Sequence, residues 1–321
     1  MNRELIDDIL TSDVGVVKKA SVATEKATRT QIREEGFQRA ILPFEDITNA
    51  DLDYAGDSEL SGVWFELEPD SPAARSIPYD SSPNTAFYRA EKYVVFLSII
   101  SSEELTKNIN ELRTYKTDVR QIVNDNVLRD MHTAEDSAFL AEIDRLVGLT
   151  QVTINQTTSP AYTRETQNVA MGQAITRQSY KRAKSFLPDR RIPNGVWLLN
   201  QRTAQEFIGW DRVEMGGDKA QDLVLDGLSA MESFKMVGVP HIATIKNDLV
   251  LNGYVYQFAP KDFMGHALRL QDIEVTIKKE FDIVRMRAQE QVGLSIGNTR
   301  SVQKVYFQTG DAAPAVASNI W

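Results

Sequence analysis

"GLSIG", Gly293 to Gly297, sets a serine between two glycines in the G-x-S-x-G pattern. In a nucleophile elbow that pattern exposes the hydroxyl on a sharp strand-to-helix turn, and the catalytic histidine follows later in the chain. Neither condition holds. Ser295 continues an alternating, strand-like run, and the last of three histidines, His266, precedes it. "DLDYAGDSE" gathers Asp51, Asp53, Asp57 and Glu59 around Gly56 like the front of a calcium loop. Its fifth position is Ala55, and Gly62 stands where a closing bidentate glutamate is needed, so it reads as a solvated acidic turn. His132, His241 and His266 are far apart and outside any H-E-x-x-H pair. Gly216-Gly217 followed by Asp218 reads as a turn, and no phosphate-binding G-x-x-x-x-G-K-[ST] exists. No catalytic residue, metal site or cofactor is expected. Asp/Glu chemistry, which needs no short motif, is the enzymatic alternative.

Composition narrows the remaining classes. A chain of 321 residues, 42% hydrophobic and 25% charged, can bury a sizeable core organised as two or three substructures. A formal charge of −9 argues against a chain whose main task is to hold phosphates. The absence of cysteine removes disulfides, thiolate metal sites and cysteine nucleophiles, and fits a reducing cytoplasm. No apolar run is long enough for a membrane span, and the acidic start is not a secretory signal.

The elements that position the polar residues follow from periodicity. Residues 1–50 hold a short amphipathic helix around Leu5 to Leu10 and a polar stretch, with too few apolar residues to close a core. Strand-like runs at 62–67 and 86–100 flank a Pro/Ser/Asp/Asn-rich centre, which predicts a long β-hairpin with an irregular tip. Helix-period apolar residues run from Leu105 to Leu146, with a capping box at Ser101 and Glu104, a stop at Gly148 and a second cap signal at Thr133 and Asp136 that would split the run. A further amphipathic helix is predicted over 167–187, ended by Pro188. A buried strand and short helix in "GVWLLNQRTAQEF" follow, then strands in "FKMVGVPHIATI", "GYVYQFAP", around 267–277, and in "SVQKVYF". Without a βαβ rhythm, the class is α+β.

Between the last two lies "DIVRMRAQEQVGLSIG", residues 282–297. Val284, Met286, Ala288, Val292, Leu294 and Ile296 fall on one side of an extended chain, and Arg285, Arg287, Gln289, Gln291 and Ser295 on the other. Only Glu290 breaks the apolar face. Arg285 and Arg287 could bind phosphate, substrate or a carboxylate on another subunit, or simply line a solvated face. Trp64, Phe65, Tyr79, Phe87 and Tyr88 make the hairpin unusually aromatic for so turn-rich a segment, which points to a protein interface or to a local cluster.

The segments "EEGFQRAILPFEDITNADLD", "EPDSPAARSIPYDSSPNTAFYRAEKYVVFLSIISSEELTKNINELRTYKTDVRQIVNDNVLRDMHTAED" and "IKKEFDIVRMRAQEQVGLSIGNTRSVQKVYF" resemble major capsid proteins of tailed bacteriophages, a fold shared with encapsulins. The likeness lies in the order and character of elements and covers most of the chain. It implies an N-terminal arm (1–50), an extended loop with flanking strands (51–100), a peripheral domain with a spine helix (101–187), an axial domain (188–272), the long strand and return strand of the peripheral domain (273–308) and a C-terminal tail (309–321). It implies a homo-oligomer of pentamers and hexamers that closes an icosahedral shell around double-stranded DNA in the virion, assembled in the bacterial cytoplasm. The implied partners are a portal protein, a separate scaffold and a cement protein, with DNA contacted weakly and no membrane. Contacts between subunits are expected at Trp64, Phe65, Arg75, Tyr79, Phe87, Tyr88, Arg285, Arg287 and Glu290. Some members cross-link the loop to a neighbour through lysine; between Asp51 and Glu91 there is no lysine, only Arg75 and Arg89, so a non-covalent shell is expected. Only a short arm precedes the loop, so no cleaved scaffolding segment is expected. The nearest alternative of like fold is an encapsulin-type shell enclosing enzymes.

Overall fold

A computed structural model describes residues 36–54, 61–67, 76, 77, 79, 82, 91–108, 119–154, 162–206, 233–236 and 238–308, with the side chains of the long helix described from 130 onward. The described strands form two mixed sheets with helices packed between and outside them, the α+β class expected.

The first sheet is built on the alternating run. Strand β13 (Ile283–Ser295) is continuous, about 43 Å long at ~3.3 Å per residue. Val284, Met286, Ala288, Glu290 and Val292 are buried on one face, while Arg285 and Arg287 are exposed on the other. It pairs antiparallel with β12 (His266–Glu280), which carries two register shifts near Gln271, and β12 pairs at its start with β1 (Phe44–Asp46). On its other edge β13 pairs with β4 (Glu91–Ser101) and, further along, β5 (Leu105–Asn108). Beyond β4 lie β3 (Ser61–Leu67) and the short β2 (Asp53–Tyr54). The predicted hairpin is therefore present, with Gly62 opposite Phe96 and Leu67 opposite Glu91. Strands β4 and β13 approach closely at Gly293: a Cβ there would lie 2.5 Å from the Phe96 carbonyl oxygen. Gly293→Ala is expected to cost about 1–3 kcal/mol through this overpacking, read as a lower urea midpoint.

The second sheet runs β6 (Val152–Ile154), β7 (Asn168–Met171), β14 (Val302–Phe307), β11 (Tyr254–Phe258), β8 (Trp197–Asn200), β10 (Val239–Thr244) and β9 (Ser233–Met236). Its central strands are buried on both faces, which is why they read as continuous apolar runs. Leu198, Ile242, Tyr256, Phe258 and Val302 face the helix Val119–Val147, and Trp197, Leu199, Ala243, Val255 and Val305 face the helix Arg177–Asp189. The strands of the 188–272 stretch share this sheet with strands from outside it. Its sheet is completed by β6 and β7 from before it and β14 from after it, because β11 needs β14 to close its free edge.

Helix α1 (Phe37–Ile41) begins at Gly36, which has no side chain to cap it; Asp136 supplies the acceptor, taking the Gln38 amide at 3.0 Å. Helix α2 (Val119–Val147) runs unbroken through Thr133 and Asp136, so the second cap signal does not split it. It stops at Gly148, φ 77, whose amide bonds to the Asp144 carbonyl. Its start differs from the expected one. Ser101 and Glu104 cap no helix: Arg287 Nε donates to Ser101 Oγ at 2.6 Å, Arg285 pairs with Glu104 at 3.2 Å, and residues 105–108 join the sheet as β5. Likewise 167–187 is not one helix. Residues 168–171 are β7, and helix α3 (Arg177–Asp189) opens on a Thr176/Ser179 capping box and carries Pro188 in its last turn. Proline removes the donor to the Lys184 carbonyl, and Asn194 Nδ2 replaces it at 3.0 Å. Helix α4 (Gln201–Gln205) is capped by Asn200. Among the described residues, no helix is long and apolar enough to cross a membrane.

Candidate assembly surface

The residues that could do chemistry are placed for packing. His266 lies directly opposite Ser295 in the β12–β13 ladder, and its Nδ1 is 3.0 Å from Glu45 Oε2, so serine, histidine and carboxylate do come together, a juxtaposition the sequence order concealed. No hydrogen bond joins Ser295 to His266 among the described residues, and Ser295 ends a regular strand instead of standing on an elbow. The imidazole is stacked on Phe65, with ring centroids 3.9 Å apart. His241 is fully buried between Tyr180 and Trp197; burial pushes its pKa down to about 4, and its Nδ1 donates to the Val239 carbonyl at 2.8 Å. Asp51 is held below the ordinary carboxylate range by hydrogen bonds from the Thr48 hydroxyl and amide, in a turn of its own making. Among the described residues no three His, Cys, Asp or Glu side chains gather as a metal site. Gly216 and Gly217 lie outside the described residues.

What the fold does present is surface. Register places Trp64, Val94 and Phe96 on one face of the β3–β4 hairpin, beside a Glu66–Lys92 ion pair at 3.1 Å. Trp64 is 47% and Phe96 46% exposed, two large rings left half uncovered by the rest of the chain. On the opposite face Phe65 and Tyr93 stack toward His266, and Val63 and Val95 pack with Leu97 and Leu268. Trp64 and Phe65, neighbours in sequence, therefore have opposite roles: one is presented, the other anchors the hairpin. Tyr79 is fully exposed; Arg75, Phe87 and Tyr88 lie outside the described residues. Phe96 was legible in the alternation of "KYVVFLSII", which sets Val94, Phe96 and Ser98 on one side.

Of the long-strand residues, Arg285 and Arg287 stay on the exposed face, engaged with Glu104, Glu280 and Ser101. Glu290, expected at a contact between subunits, is instead buried inside its own. Its carboxyl faces Arg39 of α1 at 3.3 Å and lies beside Glu135 of α2, because the strand face that carries it lies against that helix. Burial first, and the Glu135 charge second, push its pKa up to about 9. Arg39 grips Glu135 through two nitrogens at 2.6 and 2.9 Å. Next to this cluster Asp136, pushed up to about 6 by burial, accepts from Lys246 at 2.7 Å.

No family model and no curated protein matches this sequence. Solved structures do. The capsid of the native GTA particle superposes with a TM-score of 0.56 at 14% identity, over 85% of this chain and 90% of that one. The fold is that of a phage capsid protein. The mature capsid of bacteriophage PhiM1 agrees at a TM-score of 0.54 and 5% identity, over 85% and 87% of the two chains. A virus-like particle from Pyrococcus furiosus gives 0.51 and 12%, over 89% and 99%.

Proposed function

We propose that this chain is a major capsid protein that self-assembles, as pentamers and hexamers, into an icosahedral shell around double-stranded phage DNA. The observation that carries the reading is the match of one fold over 85% of this chain and 90% of a capsid subunit. The exposed Trp64–Phe96 face adds support, since aromatic rings on a projecting hairpin are the usual anchors of protein contacts. On this reading α2 is the spine helix, residues near the N-terminus serve as an arm, and the shell is capped by a portal, built on a separate scaffold and stiffened by a cement protein. Assembly takes place in the host cytoplasm, and the acidic chain contacts its DNA weakly.

Light scattering and negative-stain microscopy on the chain, expressed alone and with its genomic neighbours, test the reading. Closed shells, or rings of five and six that close when a scaffold is added, are the expected result; a stable monomer under every condition would overturn it. Nucleic acid inside the particles separates a virion shell from one enclosing enzymes. Trp64→Ala should leave the subunit folded and raise the concentration at which shells form by at least about tenfold, as loss of an interface anchor does. With no lysine between Asp51 and Glu91, boiled particles should run as a single monomer band; a covalent ladder would contradict this.

A further inference from the structure

The tip of the β12–β13 hairpin carries an aromatic ring where the backbone favours glycine or asparagine. Glu280 pairs with Ile283, so the turn is two residues, Phe281 and Asp282. Two-residue hairpin loops of the favoured types place their first residue at positive φ, which selects Gly, Asn or Asp. Phe281 sits there with φ 52. For a bulky side chain this is a strained conformation, because Cβ crowds the following carbonyl. Among the described residues no packing offsets the strain, since Phe281 is 92% exposed.

The surroundings make the tip a stiff and chemically defined knob. Val284 and Met286 are buried just behind it, and β5 braces Ile283 through Asn108. Glu280 is engaged by Arg285 at 2.8 Å. Among the described residues no ion pair engages Lys278, Lys279 or Asp282, so the knob offers one ring, two cations and one anion. A polyanion or an anionic membrane surface would leave Asp282 beside the turn without a partner, whereas a lysine of a second copy can pair with it. A surface of both signs around an apolar centre is complementary to itself under rotation.

We infer that Phe281 anchors a contact between copies of this chain, its ring buried in a cyclic junction in which Asp282 of one copy meets Lys278 or Lys279 of the next. This rests on the shell reading above. The strained turn is retained because its ring is needed only after assembly. Phe281→Gly and Phe281→Asn, made in the full chain, test it, since both residues suit the turn. In the unassembled subunit they should raise Tm by roughly 2 °C, while the concentration needed for shells rises at least about tenfold. Reversing Asp282 to lysine should also block assembly, and adding Lys278→Asp with Lys279→Asp should restore part of it. Variants that assemble at the wild-type concentration would overturn the inference and leave the shell reading intact. A fall in Tm together with lost assembly would overturn it too, by showing the ring to be structural within the subunit. A wild-type chain that never assembles would remove both.

Discussion

Arg39→Ala is expected to lower the stability of the folded chain by about 3–5 kcal/mol, the usual cost of stripping a buried carboxylate of its partner. The guanidinium has little exposure and spans three elements, holding Glu135 of α2 at 2.6 Å and Glu290 of β13 at 3.3 Å from its own place on α1. It also lies over the Phe44 ring at 5.0 Å. Without it two buried carboxyls face each other and lose the cation that bridges them. Glu290→Gln is the contrasting variant. Burial and Glu135 favour the neutral form of Glu290, so the amide replaces a neutral acid; the variant should match wild type near pH 4.5 and become the more stable of the two as pH rises, because the unfolded glutamine gains nothing by ionising. The pH dependence follows from the same shift. The folded chain keeps a proton that the unfolded chain loses above its ordinary value of 4.5, so the contribution is complete below that pH and is lost as pH rises toward about 9. Asp136, raised from 3.8 to about 6, has the same sign over its own narrower window. Urea titrations of wild type and Glu290→Gln at pH 5, 7 and 9 should show wild type weakening toward pH 9 and the variant weakening less. A wild type that strengthens toward pH 9 would contradict the assignment.

That cluster also shows which features the sequence exposes and which it hides. The alternation of β13 is local, so thirteen residues suffice to give the strand, its apolar face and the one break at Glu290. The partner that makes the break tolerable, Arg39, is 251 positions away, and no local pattern links the two. The start of α2 fails for a related reason. Leu105 fits a helical period as well as a strand, and the choice is made by β13, whose Met286 takes it as a cross-strand neighbour. Asp136 looks like the cap of a second helix because it does cap one, but the helix is α1, reached through space. At the surface, Trp64 and Phe65 are indistinguishable by composition, and only the β3–β4 register tells the presented ring from the anchoring one. Phe281 is silent in the sequence because its distinction is conformational: a phenylalanine in a turn signals nothing until its φ is known.

A second buried guanidinium does the opposite of Arg39, serving carbonyls in place of carboxylates, and its removal should be nearly as damaging. Arg190 closes α3 and turns its side chain under the second sheet, where Nε donates to the Arg164 carbonyl at 2.6 Å, Nη2 to the Thr166 carbonyl at 2.6 Å, and Nη1 to the Arg300 and Val302 carbonyls at 3.2 and 3.3 Å. Nη2 also donates to the Gln303 side chain. Burial lowers its pKa, yet it stays charged, because five acceptors converge on one planar fork. These acceptors lie in the turn before β7 and at the start of β14, two strands that pair in parallel, and the Val302 carbonyl also accepts from Gln167 Nε2 at 3.2 Å. Arg190→Ala would orphan several at once, and at about 1–3 kcal/mol for each buried group left unpaired the total should reach roughly 3–5 kcal/mol after partial relaxation. Arg190→Lys keeps the charge but not the fork, so it should recover less than half of the loss. Hydrogen exchange locates the effect. Amides of 168–171 and 302–307 should lose protection before those of β12 and β13, since β7 and β14 are the strands whose ends Arg190 ties together. Equal loss in both sheets would mean that the guanidinium supports the whole subunit instead of that one seam.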